Sequence, residues 1–258
     1  MTRLLGLFFL CLALTSACAP KIPLEDRSAA TEIWASFHPE TPPADQILAQ
    51  FSLHVAGPRT SGRLLGHIWG YPDSLIRLDL SSSTGGVVAM IRETAYLWAA
   101  YLPSENKAYH HDEAKMGLNF FKIPVPFTAR QVGSLLSGDL GPLLPAVPAK
   151  EQRTPEGRFR FVFRTGDVTS LEATGNGSML ILRGKKGWTL TCETPYENPA
   201  FTGRRLFKKF TFESPRDGKA VLRIKTLEQG HGWLAADMDL RPPQDTVWMR
   251  LESGAVNN

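Results

Sequence analysis

The sequence is short of cysteine, of net charge and of long apolar runs, and each shortage excludes a class of protein. Its 258 residues hold three cysteines, and two of them, Cys11 and Cys18, fall at the N-terminus. Cys192 is left alone in the body of the chain, so no internal disulfide can staple it. Its setting, TLTCETP, reads as a strand position with an inert, buried thiol. A formal net charge of +4 is too mild to suggest a nucleic-acid partner. The one strong apolar run, Leu4–Leu14, is too short to span a bilayer. No Gly-x-Ser-x-Gly elbow, Ser-x-x-Lys or His-Glu-x-x-His is present, so neither an enzyme nor a cofactor is expected. Gly175-Asn176-Gly177-Ser178 is a hairpin turn, because no Lys-Ser/Thr and no helix follow it to make a phosphate loop. His110-His111-Asp112-Glu113 places neighbouring ligands on opposite faces of a strand, which does not suit a metal. No Gly/Ser linker or internal repeat divides the chain.

What is there begins with a leader. Arg3, the apolar run and Thr15-Ser16-Ala17 make a secretory signal of residues 1–17. Cys18 directly after Ser16-Ala17 resembles the bacterial lipobox, although Thr15 stands where Leu is commoner. The resemblance implies that Cys18 is acylated and becomes the mature N-terminus, a membrane anchor of several acyl chains. Residue 19 is Ala and not Asp, which under the enterobacterial sorting rule favours the outer membrane, on its periplasmic face. Removing residues 1–17 from 258 leaves 241, enough for one large β domain. Residues 18–44 (PKIPLEDR, then HPETPPAD) read as a tether with a short helix at 28–37, residues 45–251 as the folded domain, and 252–258 as a tail.

The domain is organised around Gly62–His111. Short β-prone runs alternate there with turn signals at Pro72-Asp73, Ser83–Gly86, Glu93-Thr94 and Pro103–Asn106, giving an antiparallel meander of about five strands. Upstream, Asp45–Phe51 has helical spacing and runs into a strand at 52–56. Downstream, Thr128 begins a helix as N-cap with Gln131 at the capping-box position, Val132, Leu135 and Leu136 on one face, and Gly138 at its close. Residues 142–157 read as a Pro-rich connection. Strands follow at 158–164, 179–183 with 188–192, 206–213 with 219–227, and 246–251. In the first of these Phe159, Phe161 and Phe163 oppose Arg158, Arg160 and Arg164. The expectation is a mainly β fold: an open antiparallel half-barrel of about eleven strands with two or three helices on its concave side.

That order resembles the LolA/LolB superfamily, and within it LolB, itself a lipoprotein. Ser74–Asp79 followed by Ser83-Thr84-Gly85 is similar to the family's third strand and protruding loop. Pro124-Val125-Pro126-Phe127, a helix, then Gly138 and Gly141 resembles its Pro-x-Pro-Leu segment and lidding helix. Gly187-Trp188 with Tyr196 resembles its Gly-x-x-Trp hairpin, and Gly203 through Leu227 its last long hairpin. The likeness covers most of residues 45–230. It implies a carrier that binds acyl chains of lipoproteins or lipids, receives them from a LolA-like periplasmic carrier and helps deliver them to the outer membrane. LolB has an exposed leucine in its loop where this chain has Thr84, which puts the final insertion step in question.

Two strands, 87–91 and 95–102, are apolar on both faces, although an antiparallel sheet usually keeps one face wet. They need two dry neighbours. One is a helix; the other is a second layer, a membrane or a greasy ligand. The acyl cavity is expected to be lined by Trp69, Met90, Trp98 and Leu102 and capped by Val132, Leu135 and Leu136. Burying an acyl chain of about sixteen carbons gains roughly 12 kcal/mol at about 0.8 kcal/mol per methylene. The competing expectation is a structural or assembly lipoprotein of the same fold, with a closed core and a protein partner.

Overall fold

The computed structural model describes residues 24–38, 46–58, 61–112, 118–230 and 232–252. The signal peptide, Cys18, most of the tether and nearly all of the tail lie outside them. Among the described residues no helix is long and apolar enough to cross a membrane.

Fourteen strands form one sheet: β1 (Ile47–Ala56), β2 (Ser61–Tyr71), β3 (Leu75–Ser82), β4 (Val87–Thr94), β5 (Trp98–Leu102), β6 (Lys107–His111), β7 (Lys150–Arg153), β8 (Phe159–Val162), β9 (Val168–Ala173), β10 (Leu180–Gly184), β11 (Thr189–Tyr196), β12 (Leu206–Ser214), β13 (Gly218–Gln229) and β14 (Val247–Arg250). Their spatial order is β14-β6-β5-β4-β3-β2-β1-β13-β12-β11-β10-β9-β8-β7. Two meanders are therefore joined at the β1–β13 seam, and β14 and β7 do not pair with each other. The sheet is an open half-barrel. All neighbours are antiparallel except β14 and β6, which run parallel.

The expected meander is β2 to β6, and the expected hairpins β10–β11 and β12–β13 form as read. Two strands hide from the sequence reading. β7 lies inside the Pro-rich connection, and β9 carries no turn-bounded alternation. The helical reading of 45–51 is overturned: Ile47, Ala49, Phe51, Leu53 and Val55 are all buried at period two. Local spacing there fits both a helix and a strand, and two partners, β2 and β13, decide it.

Among the described residues two α-helices cover the concave side. α1 (Leu24–Ala35) is the short helix expected at 28–37, beginning four residues earlier. Ala30 and Ile33, with Phe37 just beyond, belong to the core, and the Trp34 ring lies 5.1 Å from that of Phe161. α2 (Ala129–Leu136) crosses β2, β3 and β4 with Val132, Leu135 and Leu136 buried. Its capping box is formed as the sequence predicts: Thr128 Oγ1 accepts the Gln131 N–H at 3.2 Å, and Gln131 Oε1 accepts the Thr128 N–H at 3.0 Å. Gly138 ends it in the left-handed region at φ 76°.

Part of the convex face of β3 and β4 is covered by the chain's own C-terminal segment. After β13 a strap crosses the convex face before ending in β14. The Tyr71 hydroxyl donates to Trp233 O, Arg77 donates to Asp239 O at 2.9 Å, and Arg92 pairs with Asp239 at 3.2 Å. Met238, within the strap, is wholly buried. Ala99 and Tyr101, on the convex side of β5, are buried as well.

Candidate functional site

The concave face is built by strand parity. From β1 it takes Phe51 and Leu53, from β3 Ile76, Leu78 and Leu80, from β11 Leu190, and from β12 Phe210 and Phe212. The Phe51 ring lies flat over Gly66 of the neighbouring strand, where a Cβ would come within 2.1 Å of it. Glycine at that position lets an aromatic ring fill the middle of the wall.

Between this wall and α2 lies a cavity of about 40 Å³. Every residue lining it is apolar, with Val132 and Leu135 above, Leu78 and Leu80 below, and Leu118, Val125 and Phe127 to one side. A water molecule occupies about 30 Å³ of the liquid, and a methylene is of similar size, so an acyl chain of about sixteen carbons needs several hundred Å³. The cavity as it stands holds none.

Two larger spaces adjoin it. A groove of about 480 Å³ is lined by Val55, Leu64, Leu80, Val88, Leu102, Tyr109, Phe120, Phe121 and Ile123, with Arg63, Glu105 and Lys122 at its rim. A cleft of about 520 Å³ lies at Phe127, Leu143, Leu144, Trp188 and Phe212, edged by Lys185, Lys186 and Arg216. Leu80 borders both the groove and the cavity. Phe127 and Phe212 border both the cavity and the cleft. The cavity under α2 thus adjoins both the groove and the cleft through shared side chains.

A carboxylate fastens that roof. Glu93, fully buried on the concave face of β4, accepts the Ala129 N–H at 2.8 Å on Oε2 and the Arg130 N–H at 3.2 Å on Oε1. Both donors are first-turn amides with no partner inside the helix. Burial raises the Glu93 pKa above its ordinary value, while hydrogen bonds from Thr128, Ala129 and Arg130 draw it back in part.

The structure divides the predicted cavity residues. Val132 and Leu135 line the cavity and Leu102 lines the groove. Leu136 is fully buried beside them in the core. Trp98 faces the concave side but is wholly buried, 5.2 Å from the Phe120 ring and 6.1 Å from Phe121, so it packs as core. Trp69 and Met90 are corrections. Each directly follows a buried inward residue in the pleat: Ile68 and Ala89 point in, so Trp69 and Met90 point out. Trp69 stacks on His67 at 4.8 Å and under the Arg77 guanidinium at 5.6 Å, on the convex face. The other half of the wall, Phe51, Leu53, Phe210 and Phe212, was missed. The alternation Phe210-Thr211-Phe212 carries that signal, but a wall shared between residues so distant in sequence is visible only once β1 pairs with β13.

The Ser83-Thr84-Gly85 turn is exposed and closed on itself, with Ser82 Oγ and Thr84 Oγ1 2.9 Å apart and the Gly85 N–H donating to Ser82 O. Just after it, at the β3–β4 register shift, Val87 and Val88 are 38% and 39% exposed. Among the described residues no three His, Cys, Asp or Glu side chains gather to hold a metal.

No protein-family model matches the chain, and no curated protein matches its sequence. Solved structures do match its fold. A LolA superfamily protein from Nitrosomonas europaea superposes with a TM-score of 0.55 at 9% identity, covering 82% of this chain and 97% of that one. A DUF1329 family protein from Desulfovibrio piger gives 0.55 at 10% identity over 82% and 96%. At such identities the likeness is one of fold: this is a LolA-like open half-barrel.

Proposed function

We propose that this chain is a non-catalytic lipid carrier: an outer-membrane lipoprotein, anchored through Cys18, that takes acyl chains of lipoproteins or lipids into the space beneath α2 and passes them to the membrane. The observation that carries this reading is the all-apolar lining of the cavity under a helix held at its first turn by one carboxylate. An ordinary core has no need of grooves open on both sides of such a helix.

Binding requires α2 to lift. Exposing Val132, Leu135 and Leu136 costs about 1.5–3 kcal/mol each, some 5–9 kcal/mol together. A sixteen-carbon chain brings roughly 12 kcal/mol from water, so the exchange is favourable. When the chain comes from a LolA-like periplasmic carrier, both cavities are dry and the balance is nearly even. Direction then comes from the membrane, which takes the chain last. Val87 and Val88, exposed beside the polar Ser83–Gly85 turn, supply the apolar contact with the bilayer that a loop leucine supplies in LolB.

The small volume of the closed cavity favours a second reading, a structural or assembly lipoprotein with a filled core that binds a protein partner. Native mass spectrometry of the Cys18→Ala chain from the periplasm, followed by displacement of a fluorescent fatty-acyl probe, separates the two. A bound lipid mass with saturable displacement supports the carrier; a bare protein indifferent to the probe leaves the assembly reading.

A further inference from the structure

Far from the cavity, on the convex face of β8, β9 and β10, three arginines surround one buried carboxylate. Phe159, Phe161, Leu171 and Ala173 point into the core, so their strand neighbours Arg160 and Glu172 point out. The Glu172 side chain is 5% exposed. Its Oε2 lies 3.3 Å from Arg158 Nε, and its Oε1 lies 3.7 Å from Arg160 Nε and 3.6 Å from Arg183 Nε. These are ionic distances. Arg158 Nε, Arg160 Nε and Glu172 Oε2 are all buried without a hydrogen bond.

One carboxylate is too little for this cluster. Above it opens a cleft of about 390 Å³ whose lining also includes Arg153 and Glu156. The Arg153 guanidinium turns away over the Phe159 ring, so three guanidinium groups meet two carboxylates, and Glu156 stands at the exposed margin, 3.4 Å from Arg158 Nη2. Among the described residues the Nη groups of Arg160 and Arg183 have no other acceptor. Guanidinium forks fit tetrahedral oxyanions two oxygens at a time, and the excess of positive charge favours an anion.

We propose that this cleft binds a phosphate-bearing anion, held chiefly by Arg160 and Arg183 and with Glu172 as the built-in counter-ion that keeps the arginines gathered when the ligand is absent. Phosphate oxygens in the cleft accept from the Nη N–H groups of Arg160 and Arg183, while the Nε groups stay turned toward Glu172. The site faces away from the acyl path, so it is a second binding function and does not depend on the carrier reading.

The test uses the Cys18→Ala chain, so that no anchor contributes, titrated calorimetrically with inorganic phosphate and pyrophosphate at low salt. Saturable binding is expected, at least tenfold weaker in Arg160→Gln/Arg183→Gln. These two side chains are 37% and 44% exposed, so both variants should fold. Glu172→Gln removes the competing carboxylate and should tighten binding several-fold, whereas a purely structural ion-pair network would gain no affinity for anything. Flotation with vesicles of phosphatidylglycerol against phosphatidylcholine identifies the source. Arginine-dependent recruitment to the former alone assigns a lipid headgroup; phosphate binding with no vesicle preference assigns a free phosphate. No saturable binding of either phosphate together with no vesicle preference, or binding unchanged in the arginine variant, overturns the proposal.

Discussion

Glu93 Oε2 accepts the backbone N–H of Ala129 at 2.8 Å, tying the floor of the sheet to the helix above it. The contact joins residues from two separate elements and fixes where α2 begins. Replacing Glu93 by Ala leaves two buried amides without acceptors, at a cost of about 1–3 kcal/mol each. Chemical denaturation should show that loss, together with faster uptake of an acyl probe. Unchanged uptake would mean that α2 is not the gate.

The same carboxylate sets a pH dependence. Burial raises its pKa above the ordinary 4.5, against partial opposition from the hydrogen bonds it accepts. Folding then favours the protonated form, so the stabilisation is complete below the unfolded value and fades as pH rises through the folded-state pKa. Thermal unfolding from pH 4 to 8 should show a fall in Tm above about pH 4.5 that is absent from Glu93→Gln. Parallel slopes in both proteins would place the titration elsewhere.

Strand parity makes a sharp distinction among the tryptophans, leucines and methionines. Leu102→Asp places a charge in the groove and should cut acyl-probe affinity at least tenfold. Trp69→Ala and Met90→Ala act on the convex face and should leave it within twofold. A loss of binding in the convex variants alone would invert the assignment of the two faces.

Gly66 supports Phe51 by having no side chain. Gly66→Val drives a branched group into the ring and should destabilise the chain by about 1–3 kcal/mol, as overpacking does. Pairing it with Phe51→Ala should recover part of that loss, since the small residue makes room. Strict additivity of the two changes would show that the ring and the glycine are not coupled.

Cys192 is fully buried, and burial, with Glu193 adding to it, pushes its thiol far above the ordinary value. A thiol-specific reagent should leave it untouched in the native protein and modify it fully in denaturant. Rapid native labelling would show that β11 opens on its own.

The hairpins, the meander and α2 were legible because their signals are local: a turn pair, an alternation, a capping box. The second half of β1 is read as a strand, but the first half reads as a helix because its spacing suits both structures and its partner β13 lies at the far end of the domain. The candidate site was half legible for the same reason. Val132, Leu135 and Leu102 declare themselves by helical spacing or strand phase. Trp69 and Met90 are apolar on the side that a polar residue usually occupies, and Trp69 is held there between His67 and Arg77. Strong hydrophobicity marked them as dry without telling which layer keeps them so.

The seam between β1 and β13 also governs how the chain acquires its shape. It pairs Ile47 with Gln229 and Ala56 with Lys219, so the first strand of the domain waits for nearly the last. Each meander can zip through short hairpins in microseconds to milliseconds, but joining them demands closure of most of the polypeptide. Until then two curved half-sheets coexist, each showing a greasy inner face to solvent and an unpaired edge to its neighbours. Chains cut short before β13 would remain as such halves, vulnerable to proteases and prone to aggregate.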